Sequence, residues 1–169
     1  MVVYKVAATP IEIAAPPERV RDVVRTTLTI SNENVHNKTQ FLDFAKLPEW
    51  HTGHFKSIVS PAGKLGKELQ IGDTIRVDMG INMNPVVVEN SPERFVWDGG
   101  WRGVLVGTHY FEFQASKVTP GHTTFVNRED FSGWFFAWNF SDGTRKAGPG
   151  FDVLNRDLKR RVQSLERKD

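Results

Sequence analysis

A histidine, an asparagine and a glutamate fall on what reads as the apolar face of a β-hairpin. The stretch is Gly107–Gly133, GTHYFEFQASKVTPGHTTFVNREDFSG. The two-residue period of a strand puts His109, Phe111, Phe113 and Ala115 on one face of the first arm. In the second arm Phe125 and Phe131 mark the apolar face, with Asn127 and Glu129 in phase between them. Setting Phe113 opposite Phe125 places Phe111 opposite Asn127 and His109 opposite Glu129. Burying polar groups unpaired is costly, so such a trio pairs internally or faces a cavity. A carboxyl in an apolar wall has its pKa raised and can exchange a proton, with the imidazole as partner. Asn127 would orient a ligand carbonyl or satisfy Glu129. The structural alternative is a buried polar pair that anchors the hairpin.

The neighbouring candidates are apolar. Phe95, Trp97, Gly99 and Trp101 alternate inward on the preceding strand, where Gly99-Gly100 leaves room or forms a bulge. They read as core or as the wall of a ligand site, and Ile75, Val77 and Met79 extend that wall. Trp50, Phe111, Phe113, Phe125 and Leu154 complete the expected lining. His51-Thr52-Gly53-His54 has metal-like spacing but no nearby third ligand, so no metal is expected. Gly99–Gly103 has no Gly-Lys-Ser/Thr after it and cannot be a phosphate loop; Phe131-Ser132-Gly133 lacks the first glycine of a nucleophile elbow. Motifs for redox cofactors are absent, and the expected chemistry needs no cofactor.

These side chains have to be positioned by one chain of 169 residues, expected to be a single domain over 1–169. The net charge of +2 is too small to imply a polyanionic partner. Late basic residues such as Arg156, Lys159, Arg160 and Arg161 alternate with Asp152, Asp157 and Glu166, as on a solvated helix face, so nucleic acid is not an expected partner. No run approaches the roughly 18 apolar residues of a membrane span, and the first twenty residues are too interrupted for a signal-peptide core. With no cysteine in the chain, a cytoplasmic protein with a hydrophobic small-molecule ligand is the expectation, and a homodimer is left open.

Residues 3–14 alternate as a first strand, and Pro17-Glu18-Arg19 opens a short helix with Val20, Val23 and Val24 on one side. Arg25–Gln40 has no sustained period and reads as an inserted loop or lid. Phe41–Trp50 resumes a helix with Phe41, Phe44 and Leu47 inward, ended by Pro48. Strands are expected at Phe55–Ser60, Thr74–Met79, Pro85–Glu89, Arg94–Trp101 and the two hairpin arms, giving seven in one antiparallel sheet. Trp134–Trp138 begins a broken helix or forms a hydrophobic plug. Phe151, Leu154, Leu158, Val162 and Leu165 then form one helical stripe, preceded by Pro149-Gly150.

That order, with several short motifs, resembles the SRPBCC superfamily, which includes START lipid-transfer domains, the pollen-allergen group, and polyketide cyclases and dehydrases. The carriers are Ile11–Val20, Leu47-Pro48-Glu49-Trp50, Gly72-Asp73, Asn90–Trp97, Gly107–Phe111, Thr123-Thr124-Phe125 through Phe131-Ser132-Gly133, and Leu154-Asn155. The resemblance implies an α+β helix-grip fold, in which a curved seven-stranded antiparallel sheet wraps a long C-terminal helix around a cavity. It also implies cyclisation, dehydration or isomerisation of a polyketide-like substrate, or else carriage of lipids or aromatic metabolites without chemistry. Val24–Gln40 departs from the pattern: without it, Asp22-Val23 would run into Phe41-Leu42 as family members do. The segment is a lid or a retained in-frame intron.

Overall fold

The structure, a computed structural model, describes residues 3–21, 41–101, 104–133 and 141–166. The proposed lid at 25–40 and the Trp134–Trp138 run lie outside the described residues. Strands β1 (Val3–Ala7) and β2 (Ile11–Ile13) lead to helix α1 (Pro17–Arg21). A 3-10 turn at Phe44–Lys46 passes into α2 (Leu47–Trp50). Then come β3 (Ser57–Val59), β4 (Arg76–Asp78), β5 (Asn82–Met83), β6 (Val86–Asn90) and β7 (Arg94–Trp101). The long hairpin β8 (Leu105–Ala115) and β9 (Thr123–Ser132) follows, and helix α3 (Ser141–Glu166) ends the order.

The main sheet runs β1-β9-β8-β7-β6, with β2 also on β9, while β3, β4 and β5 form a second antiparallel sheet. The described strands thus number nine in two sheets, where seven in one were expected. Two causes account for the difference. Pro10 has no N–H for a ladder, so the first strand breaks there, and the pairing slips by one residue between Ala7–Arg128 and Ile11–Phe125. Buried positions accordingly change from even (Val6, Ala8) to odd (Ile13) across the break. The second sheet meets the first through the Thr74–Val86 bridge and backbone bonds from Gly72 N–H to Val87 O (2.8 Å) and Ile75 N–H to Pro85 O (3.0 Å).

Other boundaries also moved. Pro48 lies in the first turn of α2, where a missing N–H costs nothing, and the turn ends at extended His51. Helix α3 begins at Ser141 and carries Pro149 and Gly150 inside it, where they were expected to precede it. Phe151, Leu154, Leu158 and Val162 are buried along its inner stripe. Leu154, Leu158 and Val162 share one core with Phe95, Phe111, Phe113, Phe125 and a fully buried Phe41, whose ring lies 4.5 Å from Phe111 and 5.6 Å from Phe113, while Phe151 packs with Val6 and Ala8.

Candidate active site

The hairpin register places Phe113 against Phe125, Phe111 against Asn127 and His109 against Glu129, as alternation requires. Strand β7 adds Trp97 beside His109 and Gly99 beside Gly107. Two cross-strand rows result. One reads Trp97, His109, Glu129, Val6; its neighbour begins with the glycine pair Gly99 and Gly107. Neither glycine has an unusual φ, so both serve by leaving space. A Cβ at Gly107 would collide with Glu129 Oε1, and one at Gly99 would come within 2.8 Å of Met83 Cε. The carboxyl and the thioether therefore lie over a floor made by two absent side chains.

His109 is buried among rings: Phe111 stacks at 4.2 Å, Phe151 lies at 4.8 Å and Trp97 at 5.4 Å. Asn127 Nδ2 donates to the Phe151 carbonyl of α3 (3.4 Å), which turns its Oδ1 toward His109 Nε2 at 2.7 Å. The proton of the neutral imidazole is thereby assigned to Nε2, which donates, and Nδ1 keeps its lone pair facing Glu129. Burial drives the His109 pKa down to about 3, against the Asn127 hydrogen bond. Burial alone pushes Glu129 up to about 7, although its side chain is 16% exposed. His109 Nδ1 and Glu129 Oε2 are 3.9 Å apart, and burial favours the neutral form of each, which works against an ion pair between them.

A cavity of about 30 Å³, room for one water, opens beside Glu129. His54, Phe55, Val77, Met79, Met83, Trp97, His109 and Phe151 are among its walls. Of the residues expected from sequence, Glu129, His109, Trp97, Val77 and Met79 come together there. Phe111 stands one layer behind, against His109. Phe95, Phe113, Phe125, Leu154 and Trp50 belong to the packed core away from the cavity. The side chain of Trp101 lies outside the described residues. Asn127 does not hold a ligand oxygen or satisfy Glu129 in this arrangement, because its amide is engaged by His109 and the helix backbone. His54, Met83 and Phe151 escaped the sequence reading as site residues. Gly99 signalled the room that Met83 takes, and the alternation of β7 made that glycine inward.

A larger hollow of about 500 Å³ lies between the Phe44–Lys46 turn and the Ser60–Gly66 loop. Its charged groups are engaged with carboxylates, Lys46 with Asp43 at 3.9 Å and Lys64 with Asp73 at 2.6 Å. The small cavity, whose carboxyl has no hydrogen bond among the described residues, is the better chemical site despite its size. Among the described residues no group of three or more His, Cys, Asp or Glu side chains is arranged to hold a metal.

A broad antiparallel sheet against one long C-terminal helix defines a fold class, the START-like helix grip. The START superfamily protein from Mycobacterium smegmatis is 15% identical, covers 96% of this chain and 98% of its own, and has a TM-score of 0.62. Norcoclaurine synthase from Thalictrum flavum is 9% identical over 96% of this chain and 87% of its own, with a TM-score of 0.62. That enzyme has also been solved in complex with dopamine and hydroxybenzaldehyde. Ara h 8.0201 is 12% identical over 96% of this chain and 99% of its own, with a TM-score of 0.59. No family profile matches the chain, and no curated protein matches it in sequence. At these identities the likeness shows the fold alone, the START-like helix grip. Among the described residues no helix is long and apolar enough to cross a membrane.

Proposed function

We propose that this protein is an acid–base enzyme acting on a small, largely apolar, oxygenated molecule, with Glu129 as the proton-transfer group. One observation carries the reading: a carboxyl with no protein hydrogen bond among the described residues, held over Gly107 in an apolar pocket and poised near pH 7. A group half-protonated at neutral pH can donate and recover a proton within one turnover. His109 and Asn127 act behind it as positioning residues that fix the imidazole tautomer. Cyclisation, dehydration or isomerisation of a polyketide-like compound is the reaction class suggested by the sequence resemblance. The aromatic pair bound by the Thalictrum enzyme supports a compact aromatic substrate in this fold. Admission of such a molecule requires Met79 and Met83 to move, which flexible thioether side chains allow.

The test is turnover of 4-hydroxy-4-phenylbutan-2-one, whose dehydration to a conjugated enone is read by ultraviolet absorbance. Wild-type protein should produce enone, and Glu129→Gln should lose about 100-fold or more. Undiminished turnover by Glu129→Gln would remove the mechanism. The apolar majority of the pocket favours a second reading, carriage without chemistry. Saturable binding of the hydroxyketone with its unchanged return would favour that reading, as would a co-purified ligand in native mass spectrometry.

A further inference from the structure

The two histidines of His51-Thr52-Gly53-His54 have different surroundings. His51 is buried, and its Nδ1–H donates to Asp157 Oδ2 at 3.2 Å. The same oxygen accepts from Thr52 N–H (2.7 Å) and the Thr52 hydroxyl (2.9 Å), while Arg160 donates to Oδ1 at 2.6 Å. This buried carboxylate on α3 clamps the loop that carries His54. Two turns earlier on the same face of α3 is Gly150. A Cβ there would stand 2.7 Å from His54 Nδ1, so the ring sits where the helix has no side chain. Glycine inside a helix costs about 1 kcal/mol relative to alanine, and the His54 ring occupies the space this one leaves. The His54 ring lies 4.2 Å from Phe55, is half-buried, has no hydrogen-bond partner among the described residues, and lines the cavity shared with Glu129.

We propose that His54 is the second proton-transfer residue of the pocket, the base that takes a C–H proton while Glu129 protonates the departing oxygen. The inference rests on the reading of Glu129 as the acid. The groups facing His54 are His51 on its own loop, His109 on β8 and Glu129 on β9; Asp157 of α3 reaches it through His51. Burial first and His51 second lower its pKa, which keeps a neutral base at neutral pH. With a β-hydroxy ketone, His54 removes the proton from the carbon next to the carbonyl, and that electron pair becomes the new C=C bond. The C–O bond breaks, and the hydroxyl leaves as water with the proton of Glu129. Return of the proton from His54 to Glu129 through water resets the site, and no co-reactant is consumed.

Turnover of 4-hydroxy-4-phenylbutan-2-one across pH, and imidazole NMR of the ligand-free protein, test this together. His54→Gln should lower kcat/KM about 100-fold and abolish the acid limb of the profile, while Glu129→Gln abolishes the alkaline limb. In wild-type protein the His54 ring signals should show, besides their own titration, a step near pH 7 from Glu129 that vanishes in Glu129→Gln. Gly150→Ala should displace the ring, shift its signals and lower turnover while α3 remains folded. His54→Gln as active as wild type, with Glu129→Gln impaired, would overturn the inference and leave the acid in place. Equal activity in Glu129→Gln, or none in the wild type, would defeat the acid reading itself. A His54 signal indifferent to Glu129→Gln would overturn the shared pocket whatever the turnover.

Discussion

Glu129 and His109 are both held out of their ordinary charge states by the same apolar surroundings, and the two effects on stability run in opposite directions. The folded pKa of Glu129 is raised to about 7, so its contribution to stability is complete below the unfolded value near 4.5 and is lost as pH rises through 7. The folded pKa of His109 is depressed to about 3, so its contribution is complete above the unfolded value near 6.5 and is lost as pH falls toward 3. Above pH 7 the ionised carboxyl costs on the order of 3 kcal/mol. Glu129→Gln removes that charge, and thermal melts should show the variant gaining several degrees over wild type at pH 8 and almost nothing at pH 4.5. A constant difference across that range would mean that Glu129 titrates normally. Asn127→Ala would leave a buried imidazole N–H without its acceptor, and urea titration should register a loss of about 2 kcal/mol. At this scale the sequence was informative about which residues share a face. It was silent on their partners, because Asn127 turns to a helix carbonyl twenty-four residues away.

The β8–β9 hairpin was legible because aromatic residues at Phe111, Phe113 and Phe125 fix a two-residue phase that any one-residue slip would expose to solvent. The first strand was less so. Residues 3–14 alternate, but the pattern conceals a change of phase at Pro10, visible only once β9 supplies the partner. Helix α3 hides its start for a related reason: Pro149 and Gly150 read as breakers, whereas they lie inside the helix and Gly150 receives the His54 ring. Phe41 is the element-scale keystone, since one ring from the turn before the 3-10 segment packs against both Phe113 and Phe125 in the core. Phe41→Ala should destabilise by about 3–5 kcal/mol. If the variant remains folded, its new hollow should bind benzene-sized ligands, detectable by their protection against thermal unfolding. Failure to bind would show that the core collapses around the missing ring.

The molecule is assembled as a broad sheet gripping one helix, with a smaller sheet laid along the β6 edge and joined there by few backbone bonds. The helix-grip architecture was legible in the order of elements, whereas the separation of β3–β4–β5 was not, because short strands on either sheet carry the same pattern. Met79 and Met83, which cover the cavity, belong to that smaller unit. Hydrogen exchange should therefore find β4 and β5 amides opening well before those of β8 and β9; simultaneous exchange would argue against ligand entry by that route. The paired glycines give this arrangement a further consequence. Gly99 governs the room beneath a movable thioether, while Gly107 governs the seat of the acid. Appetite and reactivity are thus written at two adjacent positions, so a lineage could alter what the pocket admits without disturbing how it reacts.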